Sequence, residues 1–184
     1  MITFDFTVFP VITTKRLILR QITNEDAPEM FALRSNPEIM KYIPRELPKT
    51  IDDAITHIEY MQGLLESNEC INWAICLKED NHLIGNIGYF RMQPENHRAE
   101  LGYMLSKDYH GKGIMQEALT EIIKYGFNEM KLHSIEAITD PENFASWKLL
   151  EKNGFIREGH FKEDCYWQGK YLDSYVYSLL NRND

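Results

Sequence analysis

A glycine-spaced turn, Tyr109-His110-Gly111-Lys112-Gly113-Ile114, is the segment of this chain whose residue types suit one chemistry most directly. It falls between a strand expected to end near Leu105 and a long amphipathic helix expected from Gly113 to Met130. The first N–H groups of a helix lack intrahelical partners and sit at the positive end of its macrodipole, and glycines let phosphate oxygens approach the backbone. Such a turn binds anions through amides, so absence of bulk matters more than side-chain identity. A G-x-G alone is equally the mark of an unliganded strand-to-helix turn. Two other phosphate motifs do not fit: a Walker turn needs Ser or Thr after Gly-Lys, where Gly113 stands, and no G-x-G-x-x-G occurs.

The elements that must hold this turn follow from periodicity. Arg16 to Arg20 is a short strand-forming run, and Thr23-Asn-Glu-Asp26 reads as an acidic variant of a capping box opening a helix through Arg34, with Pro28 near its first turn. Thr50, followed by Asp52 and Asp53, suits the N-cap of a second helix to about Leu65. Alternation at Ile71, Trp73, Ile75 and Leu77, a polar turn over 79–82, and Leu83 to Phe90 give a hairpin. Arg98 to Leu105 is a third strand and Ser134 to Thr139 another. Phe144, Trp147 and Leu150 mark one face of a short helix ending at Gly154, and two last strands flank Gln168-Gly169. Hairpin-linked and crossover-linked strands together predict an α/β (mixed α+β) fold, three-layered, with helices packed on a mixed sheet. No repeat, low-complexity tract or linker divides residues 1–184, which predicts a single domain.

Composition limits the partners. With 28 acidic against 20 basic side chains the formal charge is -8, which disfavours nucleic acid and suits cationic partners as well as simple solubility. No apolar run approaches a membrane span and no signal-peptide pattern opens the chain, so a cytoplasmic protein is expected. Cys70, Cys76 and Cys165 lack C-x-x-C spacing and read as reduced, mostly structural thiols. His57, His82, His97, His110, His133 and His160 show no paired ligand spacing, so no metal is expected. Tyr171, Tyr175 and Tyr177, on one face of the last strand, read as sheet packing before substrate recognition, and the acidic stretch 158–164 as a solvated edge.

Taken jointly and in order, several segments resemble the GNAT acetyltransferase superfamily, and within it the RimJ/RimL-type ribosomal-protein N-acetyltransferases. They are 14–20, Ala99-Glu-Leu-Gly-Tyr-Met-Leu105, His110-Gly-Lys-Gly-Ile-Met115, Asn143-Phe-Ala-Ser146, Leu150-Glu-Lys-Asn-Gly-Phe155 and Gly169-Lys-Tyr-Leu-Asp173. The resemblance covers nearly the whole chain. It implies a mostly antiparallel sheet splayed at a cleft for acetyl-CoA, the co-substrate, where the strands ending near Leu105 and Thr139 part. Pyrophosphate would lie on the amides of His110, Gly111, Lys112, Gly113, Ile114 and Met115, and pantetheine would pair with the backbone of Met104 and Leu105. The general GNAT turn prefers Gln or Arg at position 110 and Gly or Ala at 115, where this chain has His110 and Met115. Amide-based binding tolerates both departures.

Acetyl transfer to an amine needs a neutral amine, stabilisation of an oxyanion and a proton for the departing thiolate. Glu100, facing away from the apolar side of its strand and near where the resemblance puts the acetyl group, is the candidate base, directly or through water. Pairing with Arg91 or Arg98 is the competing role, and would hold its pKa low. Many GNAT enzymes carry a tyrosine acid where Leu150 stands here. The Asn-x-Ala-Ser motif instead points to Ser146 as thiolate acid, against a purely local role as a first-turn helix serine. Asn143 caps that helix, bonds a pantetheine amide, or does both. The Leu105 N–H is the expected oxyanion donor.

The acceptor implied is a protein α-amino group, ribosomal in the relatives resembled. A small amine (polyamine, amino acid or antibiotic) and a non-catalytic acyl-CoA sensor are the alternatives. A homodimer is the family expectation for assembly.

Overall fold

The computed structural model describes residues 2–182 and consists of one eight-stranded sheet with helices on both faces. Strands are β1 (Ile12–Thr13), β2 (Leu17–Gln21), β3 (Ile71–Leu77), β4 (Asp80–Gln93), β5 (Arg98–Leu105), β6 (Ser134–Thr139), β7 (Ile156–Trp167) and β8 (Lys170–Leu180). Helices are α1 (Ala27–Arg34), α2 (Pro37–Met40), α3 (Ile51–Glu66), α4 (Ile114–Asn128) and α5 (Phe144–Lys152). The strand order is β1-β2-β3-β4-β5-β6-β8-β7. Neighbours pair antiparallel except β5 and β6, which run parallel and are joined through α4.

Side-chain alternation divides the core into two layers. Leu17, Leu19, Ile71, Trp73, Ile75, Ile87, Tyr89, Leu101 and Leu105 bury one sheet face against Ala118, Leu119 and Ile122 of α4 and Leu150 of α5. Ala74, Cys76 and Met104 face the other way, onto Met30 and Leu33 of α1 and Ala54 and Ile58 of α3. Gly126 lets α4 approach closely: a Cβ there would stand 2.3 Å from the Tyr89 hydroxyl, which donates to the Ile122 carbonyl at 2.8 Å.

Local signals are realised where residue chemistry dictates them. Thr50 caps α3 by accepting from the Asp53 N–H, and Asp53 accepts from the Thr50 N–H in return, the reciprocal capping box. Asp26 closes a similar box on Thr23, but around a short 3₁₀ turn that precedes α1; α1 itself begins at Ala27 with Pro28 in its first turn. Asp26 is also gripped by Arg20 through two hydrogen bonds of 2.7 and 2.8 Å. Gly154 takes the left-handed conformation (φ 86°) just past α5. Two short elements depart from the pattern expected: β1 pairs with β2 over two residues, and α2 is a single turn capped by the Asn36 side chain. Neither is long enough to carry a periodic signal. The tyrosine stripe of β8 is also divided, Tyr177 lying in the core while Tyr171 packs on Tyr166 in the exposed end of the β7–β8 hairpin.

Candidate active site

The parallel pairing of β5 with β6 covers three residue pairs, Arg98 with Ser134, Ala99 with Ile135 and Glu100 with Glu136, and stops there. Beyond it β5 stays bonded to β4 through Leu105, and β6 to β8 through Thr139. The sheet therefore opens between residues 101–105 and 137–139, and these backbones line a cleft of about 2200 Å³ that reaches both faces. Arg98 ion-pairs with Glu136 across the last bonded rungs. Glu100 is thus the last residue of β5 paired with β6, at the apex of the opening.

The glycine turn stands at the α4 end of this cleft. Gly111 and Gly113 have φ of 70° and 72°, a conformation that side chains with a Cβ disfavour, and Gly113 is the N-cap of α4. Nothing lies within 4 Å of the position a Gly111 Cβ would take, so the turn is open to a ligand there. The cleft is lined by His110, Gly111, Gly113, Ile114 and Met115. Lys112 is not among the lining residues: its carbonyl accepts from Arg16 Nη1 at 2.9 Å and its ammonium lies 5.4 Å from the Tyr109 ring centre. The turn is braced from the segment between β1 and β2, because Glu117 accepts from Thr14 Oγ1, the Arg16 N–H and Arg16 Nε at 2.5 to 2.7 Å. His110 Nε2 donates to the Leu105 carbonyl at 3.0 Å, tying the turn to the end of β5.

Chemistry-bearing side chains reach the cleft from both faces. Glu100 alternates with Ala99 and Leu101, which the α4 core buries, so its carboxylate faces α1–α3. It accepts from Arg91 Nη1 at 2.9 Å. That pair is the competing contact expected from sequence, yet the Glu100 carboxyl is raised above the ordinary value. Burial is the main cause, outweighing Arg91, and the nearby Glu136 charge adds to it. Arg91 is 69% exposed while Glu100 is 20% exposed, so solvent screens the cation more than it relieves the carboxylate.

On the α4–α5 side Ser146 Oγ lies 2.9 Å from the Tyr103 hydroxyl. Tyr103 is on β5 and its phenol is pushed up to about 12 by burial, which the contact with Ser146 partly offsets. Asn143 Oδ1 accepts from the Ser146 N–H at 3.2 Å, so it caps α5 while also lining the cleft. Leu150 is buried in the core. Met104 and Leu105 line the cleft.

Two cleft features have no counterpart in the sequence expectations. Tyr103 was legible only as an apolar-face residue between Leu101 and Leu105, although a buried phenol usually finds a hydrogen-bond partner. Asn86 donates from Nδ2 to Asn72 Oδ1 at 3.2 Å, and its own Oδ1 is buried without a donor among the described residues. Both asparagines line the cleft.

The sheet is thus parted beside a glycine turn at a helix N-terminus, with a carboxylate on one face and a hydroxyl pair on the other. Residues 16–156 match the family model described as the acetyltransferase (GNAT) domain. The chain is 36% identical over 173 residues to the uncharacterized N-acetyltransferase YoaA of Bacillus subtilis (strain 168), covering 94% of this chain and 98% of YoaA. It is 34% identical over 103 residues to the ribosomal-protein-serine acetyltransferase of Escherichia coli (strain K12), covering 56% of this chain and 57% of that one. The crystal structure of a GNAT-family acetyltransferase from Bacillus anthracis is similar with a TM-score of 0.83 and 33% identity, over 93% of this chain and 98% of that one. That of the Vibrio cholerae spermidine N-acetyltransferase in complex with CoA and spermine gives 0.79 and 25%, over 89% and 95%. The chain belongs to the GNAT family and is an acetyl-CoA-dependent N-acetyltransferase.

Proposed function

We propose that this enzyme moves the acetyl group of acetyl-CoA directly onto a primary amine within a ternary complex, and that the amine is the N-terminal α-amino group of a protein or peptide. The observation that carries the reading is the placement of Glu100 and the Tyr103–Ser146 pair on opposite faces of one opening in the sheet. An amine entering from the α1–α3 side meets a carboxylate whose raised pKa makes it a stronger base than an ordinary glutamate. The thiol leaves on the α4–α5 side, beside hydroxyls able to donate a proton. Fixed N–H groups at the parted edge of β5, with Leu105 the nearest to the turn, suit stabilisation of the oxyanion.

Acetyl-CoA fits the residues present. Its pyrophosphate would lie on the amides from His110 to Met115, its pantetheine along Met104 and Leu105, and Asn143 would bond a pantetheine amide while capping α5. It supplies an activated thioester. The chain's part is to hold it, to accept the amine proton at Glu100 and to return one through Ser146 Oγ.

An α-amino acceptor asks less of this base than a lysine does. With a pKa of about 7.7 to 8.0 it is roughly 10% neutral at pH 7, whereas a side-chain amine near 10.4 is below about 0.1% neutral. Thiol release from acetyl-CoA, measured with Ser- and Ala-starting peptides and with spermidine, tests the reading. Turnover of the peptides with little of spermidine is the expected result. Preference for spermidine would replace it by polyamine acetylation, and binding of acetyl-CoA without thiol release from any amine would make the chain an acyl-CoA sensor.

A further inference from the structure

Arg34 lies in the last turn of α1, Arg45 in the segment between α2 and α3, and His57 on α3. All three line the cleft on the side toward which Glu100 faces. Neither guanidinium is hydrogen-bonded or ion-paired among the described residues. Two acids that line the same cleft have partners elsewhere: Glu38 accepts from Lys107 at 3.0 Å and Glu100 from Arg91 at 2.9 Å. Burial, and then the charge of Arg45, lowers the proton affinity of Arg34. The same influences, burial first and then Arg34 and Arg45, bring His57 down to about 4, so its ring is neutral at pH 7. The carbonyl end of α1 offsets part of the Arg34 charge and does nothing for Arg45. In a chain of net charge -8, the half-buried Arg34 and the exposed Arg45, whose charge reaches Glu100 without a direct contact, line the acceptor half of the cleft with no hydrogen-bonded acid of their own among the described residues. Like charges gathered there are unfavourable until an anion joins them.

We propose that Arg34 and Arg45 form an anion subsite for the acceptor, so that the molecule presenting its amine to Glu100 also carries a carboxylate, as in a peptide with acidic residues close behind its N-terminus. This rests on the amine-acetylation reading above. Each guanidinium offers a planar fork of donors matched to two oxygens, and the neutral His57 ring adds a hydrogen-bonding group without adding charge. A polyamine offers the wall no anion.

The test is a titration of the CoA-loaded protein, in which no turnover occurs, with Ser-Asp-Glu-Ala and its neutral isostere Ser-Asn-Gln-Ala, followed by acetylation rates of both peptides. A charge-assisted contact of this kind gives the acidic peptide about 10-fold tighter binding and a correspondingly lower KM, with similar kcat. Arg34→Gln and Arg45→Gln each reduce that preference while the Kd for CoA stays unchanged. Arg34→Lys retains part of it, and Arg45, being exposed, can be replaced without loss of folding. Equal affinity for the two peptides, or a preference unaltered in both Gln variants, overturns the subsite. A preference for Ser-Ala-phosphoserine-Ala above the carboxylate peptide would overturn the carboxylate assignment in favour of a phosphate. Discrimination in binding with no acetylation of either peptide supports the subsite and removes the α-amino acceptor reading instead.

Discussion

The hydroxyls of Tyr103 and Ser146, carried by β5 and α5, meet at 2.9 Å on one face of the sheet. Three residues earlier on the same strand, Glu100 faces the other side. A regular pleat therefore separates the proposed base from the proposed proton donors, with the opening between β5 and β6 connecting them.

The hydroxyl pair predicts a coupled loss. Ser146→Ala lowers kcat by about 10- to 100-fold, a modest effect because a CoA thiolate is already a fair leaving group. Tyr103→Phe lowers it less, and the double variant resembles Ser146→Ala alone, since Tyr103 acts through Ser146. Steady-state kinetics with a fixed peptide acceptor check this. A loss of acetyl-CoA affinity with kcat intact would make the pair a binding element.

As the proposed base, Glu100 is expected to contribute to the acid side of the pH profile. A base works deprotonated, so kcat/KM falls as pH drops through the carboxyl's raised pKa, and that limb lies above the range of an ordinary glutamate. Arg91→Ala removes the contact that lowers this pKa and moves the limb to still higher pH. Glu100→Gln removes the carboxyl's contribution to the limb, leaves that of the acceptor amine, and costs about 10²- to 10⁴-fold in kcat/KM. A Glu100→Gln profile unchanged between pH 6 and 9 would end the assignment.

The two left-handed glycines can be separated by binding measurements. Gly111→Ala meets no steric obstacle, and its cost comes from φ alone, about 1 to 2 kcal/mol, or roughly 5- to 30-fold in the Kd for CoA if the turn must hold that conformation to bind. Gly113→Ala strains the N-cap of α4 as well, so calorimetry is expected to show an equal or larger loss together with a lower Tm. Unaltered affinity in both variants would remove the turn from the cofactor site.

The brace behind the turn predicts acid sensitivity. Burial pushes the Glu117 carboxyl up, but hydrogen bonds from Thr14 and from the Arg16 backbone and guanidinium outweigh it, and its net pKa is lowered. A carboxyl lowered in the folded state stabilises fully above its unfolded pKa, and that contribution is lost as pH falls through the folded value. Glu117→Gln is accordingly expected to lower Tm at pH 7 and to flatten its decline below pH 5. A parallel downward shift at every pH would contradict the linkage.

Much of the scaffold was legible because its signals are local: the Thr50 capping box, the alternation through β3 and the left-handed Gly154 each reside within a few residues. The turn at 110–115 and the positions of Glu100, Asn143 and Ser146 around one opening were legible through segments found in order along the chain. What escaped is assembled over distance. Arg34, Arg45 and His57 come from three separate segments and share no period, and the Tyr103 partner lies 43 residues away. The Glu100–Arg91 pair was anticipated, but not that burial would outweigh it, because desolvation depends on the layers covering a residue.

The early end of the β5–β6 ladder has a further meaning. A parallel pair abandoned after three rungs leaves two strand edges facing each other inside the sheet rather than at its rim. On the proposed placement of pantetheine, the coenzyme's amide-bearing arm would act as a prosthetic strand that repairs the breach. Amide hydrogen exchange along residues 101–105 and 137–139 would register its arrival, and cells poor in CoA would hold this enzyme in its least cross-linked, most easily opened form.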